Sequence, residues 1–284
     1  MATIEEKIGF IGAGNMGEAI VQGLINSETA MPGKIWVSDV SEQRLAMFES
    51  EYKVNATKDN SLLFNESDVI VLAVKPQNMD DVLKNLTNSS DYNITSRKII
   101  VSIAAGIKIK TMESFFYAQL DDAKKAMMPI FRIIPNTPAL VLEGMSGMSF
   151  NDFAVDRDIM LIERILTSVG KVIRFNEDDI DAVTAISGSG PAYMFFLIEL
   201  MMKAGSEMGL KPEDAFVLSL QTMKGAVKLM ENSKEPPEEL RRRVTSPGGT
   251  TLAALTHMKN TRVDENIVKA LLAAMNRSKE LSGK

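Results

Sequence analysis

The sequence predicts an α/β fold in two parts, a doubly wound sheet over residues 1–176 followed by an all-helical domain over residues 177–284. Three observations predict it. Short apolar runs alternate with amphipathic helical stretches as far as about Phe175. The first of those runs ends in a glycine turn that opens a helix. Beyond Asn176 no stretch reads as a strand.

The first strand is Lys7 to Ile11, and the turn behind it has glycines at Gly12, Gly14 and Gly17. That is the G-x-G-x-x-G spacing of a dinucleotide-binding turn. Gly12 can take the tight bend, Gly14 lets backbone approach a pyrophosphate, and Gly17 lets the helix lie close to the strand. Met16, Ile20 and Leu24 fall on one face of the helix that follows. Its unpaired N-terminal N–H groups would face the phosphates. Gly12, Ala13, Gly14, Asn15, Met16 and Gly17 are therefore candidate cofactor-binding residues.

The second strand, Lys34 to Ser38, ends at Asp39, 22 residues past Gly17. An acid at that place accepts hydrogen bonds from the ribose next to adenine. It would repel a 2′-phosphate and so argues for NADH, whereas Ser38, Ser41 and Arg44 could meet that phosphate. Asp39 could instead cap a helix beginning near Ser41. That helix runs from Glu42 to Ser50, before a short strand near Val54 and a helical turn over Ser61 to Asn65. Val69 to Val74 is apolar and rich in β-branched residues, as central parallel strands are. It stops at Lys75-Pro76, where the carboxyl ends of the strands should meet the cofactor. Helices over Met79 to Leu86 and about Lys110 to Leu120 alternate with strands over Lys98 to Ile103 and Phe131 to Ile134. Short strands near Met148 and over Val172 to Phe175 finish the sheet.

The helices of the second part are expected over Asp178 to Ile186, Ala192 to Met208, Pro212 to Asn232, Pro237 to Val244, Thr250 to Met258 and Asp264 to Leu281. Pro191 and Pro212 stand at helix starts and Gly209 just past a helix end. The helix from Ala192 is apolar nearly all round and needs cover on every side. So small a domain has little interior to give it, and packing against a second copy is expected. The apolar run from Ala192 to Met202 contains Glu199 and is too short to span a bilayer.

Composition narrows the chemistry. There is no cysteine, so thiolate nucleophiles and Cys-ligated metals are excluded, and the single His257 cannot build a multi-histidine metal site. A net charge of −5 gives no support for a nucleic-acid partner. The N-terminus has no apolar signal core, so a cytoplasmic location is expected.

Two small-residue turns interrupt the helices. Ser187-Gly188-Ser189-Gly190-Pro191 can turn its hydroxyls on a ligand or merely connect two helices. Ser246-Pro247-Gly248-Gly249-Thr250-Thr251 should expose the N–H groups of Gly249, Thr250 and Thr251 at a helix N-terminus, a site for a small carboxylate; it too could be a simple capped connection.

Taken in order, Gly9 to Gly17, Ala73-Val74-Lys75-Pro76, Pro135-Asn136-Thr137-Pro138, Asp181 to Thr184 with Ser187 to Tyr193, and Ser246 to Thr251 closely resemble pyrroline-5-carboxylate reductase. The resemblance runs from the first strand to the final helix. It implies a Rossmann-type domain and a helical dimerisation domain, assembled as a homodimer or ring of dimers. It implies hydride transfer from NADPH or NADH to the C=N carbon of 1-pyrroline-5-carboxylate, giving L-proline in the last step of proline biosynthesis. It implies cofactor contacts from Ser38, Asp39, Asn60, Ala73, Val74, Lys75, Pro76 and Asn136, with Lys75, Pro76 and Asn136 bordering the nicotinamide. Ser187, Gly188, Ser246, Gly248, Gly249, Thr250 and Thr251 would hold substrate, the last group from the neighbouring subunit or its own. Thr184, near the ring nitrogen, and Lys75 are the candidate catalytic residues, and no metal is expected. Asp39 departs from the small polar or basic residues many members carry there. A reductase of the 3-hydroxyacid dehydrogenase type and a non-catalytic nucleotide sensor are the alternatives; Lys203 lacks the motif the first of these needs.

Overall fold

A computed structural model describes residues 3–283. Its contacts divide the chain into two compact units. One runs to Ser189 and takes up the chain again from Ala274; the other is Gly190–Ala273.

The first unit is built on one eight-stranded sheet: β1 (Ile8–Ile11), β2 (Ile35–Ser38), β3 (Asn55–Thr57), β4 (Val69–Leu72), β5 (Ile99–Ser102), β6 (Ile130–Ile134), β7 (Gly144–Phe150) and β8 (Gly170–Arg174). Their order in space is β3-β2-β1-β4-β5-β6-β7-β8. All neighbours are parallel except β6 and β7, where Ile133 stands opposite Met148. The connection between those two strands holds only a single-turn 3₁₀ segment, Thr137–Val141, which is too little chain for a parallel crossover.

The central strands are buried on both faces, and alternate residues serve different cores. Ile8, Phe10, Val69, Val71, Val101 and Phe131 point to one side; Ile11, Ile70, Leu72, Ile100 and Ile130 point to the other. The helices in chain order are α1 (Asn15–Asn26), α2 (Glu42–Met47), α3 (Asn60–Glu66), α4 (Pro76–Thr87), α5 (Ile109–Phe116), α6 (Asp122–Ala126) and α7 (Asp156–Thr167). α1 and α7 cover the first face through Ile20, Leu24, Ile159, Ile162 and Ile165. α3, α4 and α5 cover the second through Leu63, Phe64, Met79, Leu83, Met112 and Phe116. Neither α6 nor α7 is among the expected helices. The helix expected to reach Leu120 ends at Phe116.

The helix expected over Asp178 to Ile186 is three pieces: a 3₁₀ turn at Glu177–Asp179, α8 (Ile180–Val183) and a π-helical turn at Thr184–Gly188. The hydroxyls of Thr184 and Ser187 donate to the carbonyls four residues back, Ile180 at 2.8 Å and Val183 at 3.1 Å. Such back-bonding loosens the ladder. Ile180 and Val183 pack with Ile134 and Phe175. The sequence break expected at 176/177 thus lies inside this unit, and the chain's last turns belong to it as well. Ser278 and Ser282 donate to Asp181 at 2.6 and 3.2 Å. Ser282 also meets Arg132, a wholly buried arginine on β6 that pairs with Glu177 at 3.2 Å.

The second unit holds α9 (Gly190–Glu207), α10 (Pro212–Ser233), α11 (Pro237–Arg243), α12 (Thr250–Asn260) and the start of α13 (Val263–Ser282). A Cβ on Gly205 would lie 2.8 Å from that of Ala215, so α9 and α10 meet at small residues. Large apolar side chains stay outside: Met194, Phe195, Phe196, Leu197, Val217 and Leu218 are all exposed. Taken together, the helical segments from Glu177 to Glu207 span 31 residues and pass a test of length and composition for crossing a bilayer. The apolar run itself, Ala192 to Met202, is no longer than expected; the stretch gains length only from the polar-containing segments before Gly190.

Candidate active site

The strand order reverses between the parallel neighbours β1 and β4: from β1 the chain moves out through β2 and β3 to one edge, and from β4 through β5 and β6 toward the other. Open α/β sheets take their ligands at such a point, outside the carboxyl ends of the strands. The glycine turn and the Ala73-Val74-Lys75-Pro76 segment meet there. Ala73 N–H donates to the carbonyl of Ile11 at 2.8 Å. Gly12 has φ +107°, and a Cβ on it would come within 2.8 Å of the Ala73 carbonyl. Only glycine fits both the angle and the space. Around Gly14 the space is open, with nothing within 4 Å of where a side chain would start. α1 begins behind Gly14 with no side-chain cap, so its first N–H groups are left for a ligand. These are the features a pyrophosphate needs, and the turn fits a dinucleotide.

Asp39 stands just past β2. One carboxylate oxygen accepts from Ala13 N–H at 2.7 Å and the other from Ser41 N–H at 2.8 Å. The cap of α2 is Ser41, which accepts from Arg44 N–H at 3.3 Å. Arg44 is tied down rather than held ready for a phosphate: Nε donates to the Ala13 carbonyl at 2.7 Å and Nη2 to Glu18 at 2.6 Å. Ser38 is buried and donates to Asn60 Oδ1 at 2.7 Å, so these two candidate residues brace each other across neighbouring elements. Lys75 is the exposed N-cap of α4, and Pro76 sets its first turn.

Asn136 is buried at the end of β6 with both ends of its amide in use. Nδ2 donates to the Ser187 carbonyl at 3.1 Å, and Oδ1 accepts from Met145 N–H at 2.8 Å. It therefore fastens the Thr184–Gly188 turn to the sheet. A Cβ on Gly188 would press on Ile134 at 3.1 Å. Thr184 is half-buried, and because its proton goes to Ile180, its oxygen offers lone pairs outward.

In the helical unit, α12 starts behind Gly249 with no side-chain cap. Gly248 has φ +70°. Gly249 N–H is not exposed as expected; it donates to the Ser246 carbonyl at 3.1 Å and closes the turn. The N–H groups of Thr250 and Thr251 are the ones left at the helix end. Ser246 Oγ lies 2.5 Å from where a Gly249 Cβ would be, which places that hydroxyl over the turn. Among the described residues no cluster of His, Asp and Glu could hold a metal ion.

A glycine turn at the crossing point of a doubly wound sheet, with an acid past β2 and a helical part behind, defines a dinucleotide-binding oxidoreductase. Residues 7–106 match the family model described as NADP oxidoreductase coenzyme F420-dependent, and residues 177–281 match pyrroline-5-carboxylate reductase dimerisation. The pyrroline-5-carboxylate reductase of Methanosarcina acetivorans is 37% identical, over 98% of this chain and 99% of its own. A solved pyrroline-5-carboxylate reductase from Coxiella burnetii superposes with TM-score 0.88 at 36% identity, covering 98% of this chain and 99% of that one. The Plasmodium falciparum pyrroline carboxylate reductase, crystallised with NADP, has TM-score 0.84 at 30% identity over 99% and 100%. The chain belongs to the pyrroline-5-carboxylate reductase family.

Proposed function

We propose that this chain reduces 1-pyrroline-5-carboxylate to L-proline with NADH or NADPH, the last step of proline biosynthesis, as a cytoplasmic homodimer or ring of dimers. The observation that carries the reading is the uncapped N-terminus of α12 behind Gly248-Gly249. A glycine turn is common to many oxidoreductases; a second helix end open to a small carboxylate points to a small acid as substrate. The functional division is drawn at 176/177, supported by the dimerisation match that begins at residue 177.

When bound, the reduced nicotinamide supplies the hydride. The rest falls to the chain. The N–H groups of Thr250 and Thr251, with the Ser246 hydroxyl, grip the substrate carboxylate and fix the ring's tilt. Such fixing replaces a search through orientations and lowers the barrier. Thr184 gives its own proton to Ile180, so it acts as an acceptor for the N–H of the protonated imine. It holds that proton on nitrogen and keeps the C=N carbon electrophilic. Water protonates the imine before it binds. Lys75 and Pro76 border the nicotinamide, and Asn136 supports that edge through Ser187.

Steady-state consumption of NADH and NADPH with the five-membered imine tests the proposal, with reduction of the oxidised cofactor by a 3-hydroxyacid as control. Turnover with the imine alone is expected. Cofactor binding without imine-dependent oxidation overturns it. Ser246→Ala should raise KM for the imine about tenfold, in line with loss of a charge-assisted hydrogen bond, and Thr251→Pro, which removes the backbone N–H, should raise it as well. Thr184→Val should lower kcat and leave cofactor binding as it was.

A further inference from the structure

The end of β2 holds a carboxylate and a guanidinium, and the chain treats them differently. Asp39 reaches the glycine turn through Ala13 N–H from its place just past β2. Arg44, one turn into α2, is held on three sides. Its Nε donates to the Ala13 carbonyl at 2.7 Å, its Nη2 to Glu18 at 2.6 Å, and its guanidinium carbon lies 5.4 Å from the centre of the Phe48 ring. Glu18 is itself anchored, for its other oxygen accepts from the Tyr52 hydroxyl at 3.0 Å. A second cation beyond α2, Lys58, follows the strand paired with β2 and is tied to Glu42. Between Asp39 and Ser41 the chain presents Val40, 95% exposed and without charge.

A 2′-phosphate needs a guanidinium or ammonium free to meet it. Here Arg44 and Lys58 are already paired with carboxylates, and the charge standing at the end of β2 is that of Asp39, each oxygen of which holds one backbone N–H and keeps a lone pair. We propose that Glu18 sets the dinucleotide preference: by holding Arg44 on the glycine turn it keeps the guanidinium from a 2′-phosphate, leaves Asp39 to bind a free 2′-hydroxyl, and makes the chain take NADH over NADPH. Glu18 is a positioning residue, acting through Arg44. The inference rests on the nucleotide reading given under Proposed function.

Equilibrium binding of NADH and of NADPH to the full chain, followed by cofactor fluorescence, tests it without turnover. The wild-type chain should bind NADH at least about tenfold more tightly, the worth of roughly one charge-assisted contact. Glu18→Gln should tighten NADPH by about tenfold and leave NADH nearly unchanged. Adding Arg44→Ala to Glu18→Gln should abolish that gain. A merely structural Glu18 would weaken both dinucleotides alike, which overturns the proposal. So does an unchanged ratio in Glu18→Gln, a gain that survives the loss of Arg44, or a wild-type preference for NADPH. If the wild-type chain binds neither dinucleotide, the nucleotide reading itself falls and this inference with it. Should Glu18→Gln not fold, Tyr52→Phe frees one side of Glu18 and must move the ratio the same way by a smaller factor.

Discussion

The two units use the same kinds of side chain to opposite ends. In the sheet unit Phe10, Phe48, Phe116 and Phe131 are wholly buried. In the helical unit Phe195 and Phe196 are 59% and 60% exposed, and its buried residues are small: Gly205, Ala215 and Ser219. The first unit closes a core within one chain. The second spends its apolar surface outward, far beyond what scattered surface residues explain. Tyr193 Oη and Glu235 Oε2 are also buried there without a hydrogen-bond partner. One unit closes a solvent-excluded core; the other leaves its large apolar side chains uncovered within one chain.

The contrast can be broken most directly at α9. Replacing Phe195 and Phe196 together by Glu should weaken self-association by about 100-fold or more, since buried aromatic anchors carry ~2–4 kcal/mol each at interfaces. Light scattering would then report a monomer; an unchanged mass would end the comparison. Phe131→Ala probes the other side and should destabilise the chain by about 3–5 kcal/mol. Its urea midpoint should shift equally at every protein concentration, whereas that of the α9 variant should shift more on dilution. Gly12→Ala forces φ +107° on an L residue and a Cβ into the Ala73 carbonyl. It should cost about 1–3 kcal/mol and abolish dinucleotide binding while leaving the oligomer intact. Ser282→Ala removes a partner of buried Arg132 and should cost about 1–2 kcal/mol, read by thermal unfolding.

The smallest effect is one of pH and belongs to the sheet unit. Burial, then the bond to Glu18, pushes the Tyr52 phenol up from 10 to about 12. Burial pushes Tyr117 up to about 12 as well, and it raises Tyr92 further. The folded state thus favours the neutral phenols. Their contribution is complete below pH 10 and is lost as pH climbs through about 12. The urea midpoint should fall across that window, and Tyr52→Phe with Tyr117→Phe should flatten the fall.

Much of this was readable in the residues. β1, β4, β5 and β6 are runs of β-branched and aromatic residues bounded by turns, and their burial on both faces follows from that. The glycine turn announces itself by spacing. α7 was readable too and is absent from the expected helices: Ile159, Ile162, Ile165 and Leu166 keep a helical period behind Asp158, which accepts from Val155 N–H at 2.9 Å. Other features have no local signature. Arg132 reads as a break in the apolar strand Ile130–Ile134, and its partners lie 45 and 150 residues away. Arg44 reads as a phosphate ligand until Glu18, 26 residues back, is seen to hold it. The ends of Asn136 are taken by Ser187 and Met145, which no spacing rule connects. Local period finds elements; it is blind to which charges meet across them.

Arg132 has a further consequence for how the molecule comes into being. Its strand lies inside the sheet, between β5 and β7, and the hydroxyl that accepts from one of its nitrogens, that of Ser282, is 150 residues further along the chain. Forming β6 alone therefore leaves the guanidinium without that partner, and only the docking of the last turn of α13 brings the Ser282 hydroxyl to it.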